Sequence, residues 1–218
     1  NVVPNVIASI ITEISFDHEH FLGSTLSKIS REKCGIIKNR IPVFTISQEN
    51  EIMRVIKENC RDKNAPLYVI EKNNFEVSSN SFSFCLNKEN IDLPIPSLKG
   101  DHQLYNCALS TSCLKVISKN FNRIEFKKSL NGIKNVNWPA RSHFIKKGIL
   151  ANKIDKDYVI ILDGAHNVSG AKALSKVLSS IDTKWQLIFG YLKTRQPTEF
   201  LNELKSITQK IITTEITG

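Results

Sequence analysis

Two short runs hold residue types that could do chemistry: Asp17-His18-Glu19-His20 and Asp163-Gly164-Ala165-His166-Asn167. Carboxylates beside imidazoles can hold a divalent cation or orient a substrate. In the second run, Gly-Ala lets a ligand approach the backbone, and the N-terminus of a following helix would favour an anion. Each run also has a plainer reading, in which the Asp caps the next helix and the His is a loop residue. The plainer reading is favoured for an Asp-His pair as such; position improves the chemical reading somewhat for the second run, and neither run settles a function alone. Each run follows a β-branched apolar stretch, and ligands of open α/β sheets gather at the carboxyl ends of strands.

The elements that must position these runs follow from periodicity. Residues 6–14 are nearly continuous in apolar character, as in a strand buried on both faces. Thr25 opens a short helix, 26–34, and Gly35 stops it. Residues 42–46 read as the next strand, 49–60 as a helix with Ile52, Val55, Ile56 and Cys60 on one face, and 67–70 as a third strand. This alternation predicts a parallel α/β sheet. Phe75, Val77, Phe82, Phe84 and Leu86 alternate with polar residues around 78–81, which predicts an antiparallel hairpin. Asp101 is a candidate N-cap for a helix over 102–118. The stretch 135–140, with Trp138-Pro139, lacks periodicity and marks a boundary, giving domains 1–136 and 137–218. In the second, strands over 158–162, 185–189 and 210–214 alternate with helices over 167–181 and 197–207.

Composition narrows the function. With 218 residues, 41% hydrophobic and 23% charged, the chain is that of a packed globular protein rather than a disordered one. No apolar run is long enough to span a membrane, and no export signal is visible, so the expectation is a cytoplasmic protein that engages no membrane. Five Cys without a Cys-x-x-Cys pair predict reduced core thiols rather than disulfides or a zinc site. The net charge of +9 invites a nucleic-acid reading, but the Lys residues are spread along the chain without aromatic interleaving. No nucleic-acid partner is expected. A positive field equally suits an anionic nucleotide.

Four segments, in this order, resemble the folylpolyglutamate synthase/dihydrofolate synthase family of Mur-ligase-like ATP-dependent amide ligases. They are Ile14-Ser-Phe-Asp-His18-Glu-His-Phe-Leu22-Gly-Ser-Thr25 running into Glu32-Lys33-Cys-Gly; Gly100-Asp-His-Gln103-Leu-Tyr-Asn106; Trp138-Pro-Ala-Arg141; and Leu162-Asp163-Gly-Ala-His166-Asn. Phe189-Gly190 with Lys193 fits the strand after them. The resemblance implies an α/β fold in which 1–136 is the C-terminal part of a P-loop-type ATPase domain and 137–218 begins a Rossmann-like C-terminal domain. It implies a reaction in which ATP phosphorylates a carboxylate of a folate or dihydropteroate and the amine of L-glutamate displaces the phosphate. ATP and Mg²⁺ would be the cofactors, with a monovalent cation as an optional addition.

Residue by residue, the resemblance makes His18 a Mg²⁺ ligand and Lys33 the carbamylated lysine. It sets Asn106 at the nucleotide base, with Gln103 as a further nucleotide-side candidate. Arg141 would reach the ATP phosphates, Asp163 the ribose hydroxyls, and His166 the reacting groups. Without the resemblance, Lys33 reads as a solvated cation at a helix C-terminus and Arg141 as a linker cation.

The departures are equally specific. No Gly-x-x-x-x-Gly-Lys-Ser/Thr occurs in the 218 residues, although the family has a P-loop upstream of this region. The family's Trp-Pro-Gly-Arg reads Trp-Pro-Ala-Arg, Ser142 follows where hydrophobic or acidic residues are usual, and its Asp-Lys-Asp reads Thr194-Arg195-Gln196. A Lys-rich stretch lengthens the segment between Arg141 and Asp163. The expectation is a fragment inactive alone, with a separate chain supplying the P-loop as one arrangement; the full-length family is expected to be monomeric. Two alternatives stand beside it: a Mur-type ligase for a cell-wall precursor, and a catalytically dead remnant. The apolar strand at 210–214 is expected to offer an unpaired edge that promotes self-association.

Overall fold

The computed structural model describes residues 3–17, 23–121, 123–191 and 197–214. They divide into two compact units, 1–97 with 102–136, and 98–101 with 137–218.

In the first unit, β1 (Ser9–Ile11), β2 (Val43–Ile46) and β3 (Leu67–Ile70) form a parallel sheet in chain order. The crossovers carry α1 (Leu26–Cys34) and α2 (Asn50–Asp62). Thr25 caps α1 by accepting the Lys28 N–H. Gly35 closes the helix in right-handed backbone, at φ −57°, so its freedom to turn left-handed is not used there. All four residues of β2 are buried, and alternation explains why. Val43 joins the cluster of Ile29, Cys34, Ile52, Val55, Ile56 and Cys60 on the helical side. Phe44 and Ile46 face the other way, into a second cluster.

That second cluster is built by an antiparallel sheet of β4 (Glu76–Val77), β5 (Ser81–Leu86) and β6 (Glu89–Pro94). With it packs α3 (Asp101–Ile117). Phe75 stacks on Phe82 and Phe84 and meets Tyr105 of α3 edge-on. The reversal at Ser78–Ser81 is where alternation predicted it. Strand β6 was not predicted. It returns through the two-residue loop Asn87-Lys88, both at positive φ, as primed hairpin turns require. Helix α4 (Phe126–Asn135) is likewise an addition to the expected elements.

Strand β1 covers only three of the nine residues expected as strand. Its ladder is limited to the register with Val43, Phe44 and Thr45. Beyond it a side chain takes over. Gln48 accepts the Ile14 N–H at 2.7 Å and donates to Thr45 Oγ1 at 3.1 Å.

The second unit differs more from expectation. Strand β8 (Ile161–Leu162) is two residues long and pairs antiparallel with β7 (His143–Phe144). It does not join the parallel pair β9 (Trp185–Gly190) and β10 (Thr208–Thr214). The expected run of three successive strands is therefore two separate pairs among the described residues. Burial differs from expectation too: Tyr158, Val159 and Leu162 are exposed, while Ile161 packs against the core of the unit. A short helix, α5 (Ile149–Lys153), lies between β7 and β8. Helices α6 (Val168–Ser179) and α7 (Thr198–Leu204) cover one face of β9, through Ala171, Leu174, Leu178, Phe189, Phe200 and Leu204.

Candidate active site

His18 lies outside the described residues, as do Lys193 and the stretch 194–196. Among the described residues, no three His, Cys, Asp or Glu side chains gather as cation ligands. The segment leading to Asp17 is nevertheless anchored, through the Gln48 contacts to Ile14 and Thr45. Sequence reading gave Gln48 no role. Its only signal is a polar residue just after a fully buried strand.

Lys33 sits exposed in the last turn of α1. Its neighbour Cys34 is buried, and burial, with Cys60 nearby as the lesser cause, pushes the thiol up to about 11. Burial likewise raises Cys60 and Cys107 to about 11, the latter against a hydrogen bond from Thr111 that lowers it. Such thiols stay protonated at neutral pH, as inert core cysteines do. All five cysteines are free, three of them buried.

On α3, His102, Gln103 and Asn106 form a hydrogen-bonded series. Asn106 is exposed and its amide donates to Gln103 Oε1 at 3.4 Å. Gln103 is only 7% exposed, and its Nε2 meets His102 Nε2 at 2.9 Å. Donation by that amide makes the ring nitrogen the acceptor. The outward-facing member of this series is Asn106, while Gln103 lies beneath it.

In the second unit, Arg141, Asp163 and His166 come together around one bend. Ala140 and Ser142, on either side of Arg141, both hold positive φ, +60° and +43°. The Arg141 Nη1 donates to the Ala140 carbonyl at 3.2 Å. It also lies over Gly164, where a Cβ would stand 3.0 Å from that nitrogen. A side chain at 164 would crowd the guanidinium, which would have to shift by a few tenths of an ångström. Asp163 Oδ2 accepts the Ser142 N–H at 2.6 Å and its hydroxyl at 3.4 Å, and Oδ1 accepts the Ala165 N–H at 2.8 Å. The Gly164 N–H closes the bend on the Ala140 carbonyl at 2.9 Å.

His166 Nδ1 donates to the Gly164 carbonyl at 2.9 Å, which fixes the ring's orientation and places a proton on that nitrogen. The His166 carbonyl accepts the Tyr191 hydroxyl at 2.8 Å. Asn167 then caps α6 through the Gly170 N–H at 2.7 Å. A cation thus stands beside Gly164, three residues before a capped helix N-terminus, an arrangement that favours negative charge. Ser142 was not among the expected site residues. The altered sequence around Arg141 was the only hint of it.

No protein-family model matches the chain. Individual relatives do. The chain is 35% identical over 187 residues to dihydrofolate synthetase of Saccharomyces cerevisiae, covering 82% of this chain and 42% of the relative. It is 28% identical over 220 residues to dihydrofolate synthase/folylpolyglutamate synthase of Bacillus subtilis, covering 97% of this chain and 49% of the relative. The fold matches E. coli FolC, solved in complex with ADP, with a TM-score of 0.76 at 21% identity, over 97% of this chain and 48% of that one. No helix among the described residues is long and apolar enough to cross a membrane. Sequence and fold agree, and the chain, spanning about half the length of the curated relatives it matches, belongs to the folylpolyglutamate synthase/dihydrofolate synthase family.

Proposed function

We propose that the chain provides part of the nucleotide site of a cytoplasmic ligase that joins L-glutamate to a folate or to dihydropteroate. In the first step a carboxylate oxygen of the acceptor attacks the γ-phosphorus of ATP, and the bond to the β-phosphate oxygen breaks to release ADP. In the second, the glutamate nitrogen attacks the acyl-phosphate carbon, phosphate leaves with the bonding pair, and the nitrogen loses a proton. Both steps gather negative charge on phosphoryl oxygens, so fixed cations and N–H donors matter most.

Each unit contributes its own residues. In the first, exposed Asn106 offers a donor and an acceptor to the base, as an amide can. Lys33 stands at the carbamylated position, where the added carboxylate would turn a cation into a metal-supporting anion. In the second, Arg141 meets phosphate oxygens, Asp163 the ribose, and His166 the reacting groups. Mg²⁺ would accompany the nucleotide and neutralise phosphate charge; His18 is the residue of this chain proposed to ligate it.

The observation that carries the reading is the Arg141 guanidinium held over Gly164, just before the capped start of α6. The test is titration of MgATP into the 218-residue chain. Arg141→Ala should weaken binding about tenfold, or ~1.4 kcal/mol; equal affinities would overturn the reading. These residues hold no P-loop sequence. The chain alone is therefore expected to release no ADP in response to glutamate plus folate or dihydropteroate. Robust substrate-dependent release would contradict a partial site.

A further inference from the structure

Ser142 is 6% exposed, yet it sits in left-handed backbone, and so does Ala140 two residues earlier. A left-handed conformation brings a non-glycine Cβ against its own backbone, so two of them around one arginine need something to hold them. Neither residue is a glycine, so the strain lies in this chain's own sequence. Asp163 is the group that meets it. Three donors converge on its carboxylate: the Ser142 N–H, the Ser142 hydroxyl and the Ala165 N–H. Only an acceptor-only group takes all three, because an amide in its place would turn an N–H₂ toward one of them.

We infer that Asp163 is a positioning residue for Arg141: its carboxylate holds the strained 140–142 bend that aims the guanidinium over Gly164. This role is additional to contact with a ribose, and it rests on the phosphate reading of Arg141. The connection is direct. Asp163 fixes the amide that follows Arg141, and the Gly164 N–H fixes the carbonyl that precedes it. With both peptide groups pinned, the arginine has few backbone directions left.

Inorganic tripolyphosphate is the probe, since it has neither sugar nor base. If Asp163 served only the ribose, Asp163→Asn would leave tripolyphosphate binding unchanged. Simple electrostatics predicts stronger binding, because a negative charge has been removed. Positioning predicts the opposite sign, a loss of about five- to tenfold that approaches the loss in Arg141→Ala. Adding Ala140→Gly to Asp163→Asn should recover part of that loss, since glycine takes the bend without strain. Where Arg141→Ala itself weakens binding, unchanged or stronger binding in Asp163→Asn would overturn the inference.

Amide exchange on the same proteins keeps the two readings apart. The Ser142 N–H should lose protection in Asp163→Asn, while Ala171 and Leu174 in the core of the unit keep theirs. If wild type and Arg141→Ala bind tripolyphosphate alike, the phosphate reading of Arg141 falls, and the Ser142 exchange alone decides the positioning. Retained protection there would overturn it.

Discussion

The first unit buries both faces of its parallel sheet, whereas the second covers one face of β9 and, among the described residues, leaves the other exposed. Phe44, Ile46 and Val43 of β2 disappear into two clusters on opposite sides. In β9, Trp185, Leu187 and Phe189 pack inward, while Ile188 between them is 73% exposed, and Ile211 and Ile212 of β10 are about 40% exposed. The lesson concerns what an apolar run means. Such a run identifies a strand, but whether one or both faces are covered depends on what the rest of the fold brings to it.

The contrast predicts where damage concentrates. Phe84→Ala, in the stacked aromatic cluster of the first unit, should cost about 3–5 kcal/mol through the cavity it leaves. Urea unfolding of the first unit measures this, and a loss below about 1 kcal/mol would mean the cluster is loosely packed.

Alkaline pH should also separate the units, because all five cysteines belong to the first. Burial raises Cys34, Cys60 and Cys107 from 9.0 to about 11 in the folded chain. The unfolded state therefore loses these protons first. Their stabilising contribution is complete below pH 9.0 and falls as pH rises toward about 11. Melting temperatures over that window should drop for the first unit, while any drop in the second has no thiol cause. Equal sensitivity of the two transitions would break the distinction.

Helix caps give a smaller effect, one in each unit. Thr25→Ala and Asn167→Ala should each cost about 1 kcal/mol, read by calorimetry in the unit that holds the cap. Smallest of all is Ile188→Thr, expected to shift stability by no more than about 0.5 kcal/mol, because the side chain is mostly in water already. A large loss there would mean that something covers this face in solution, such as a second copy of the chain.

How much was legible in the sequence varies with the kind of signal. Helix α1 was readable to its ends, since Thr25 and Gly35 bracket a single periodic turn pattern. Strand β3 was equally plain, bounded by turn residues on both sides. Strand β6 was missed although Ile91 and Leu93 alternate with exposed neighbours. Its turn, Asn87-Lys88, lacks the glycine that usually announces such a loop. Strand β7 could not have been read, because two residues after a kinked proline stretch carry no period.

The site divides along similar lines. Gln103, expected on the nucleotide side, is buried under Asn106, where it meets both His102 and Asn106. The bend around Arg141 was invisible to periodicity, for positive φ at Ala140 and Ser142 runs against the preference of both residues. Local preference fails there because the carboxylate of Asp163, 21 residues away from Ser142, holds the bend.

If the proposed function holds, this chain carries nucleotide contacts of its own. Backbone and side-chain ¹H–¹⁵N spectra of the 218-residue chain, titrated with a non-hydrolysable MgATP analogue, test it most directly. Shifts are expected at the Asn106 side-chain amide, at Arg141 Nε, and at the amides of Gly164, Ala165 and His166. Spectra that do not change at these positions, or that change only along the Lys-rich residues 146–156, would contradict it.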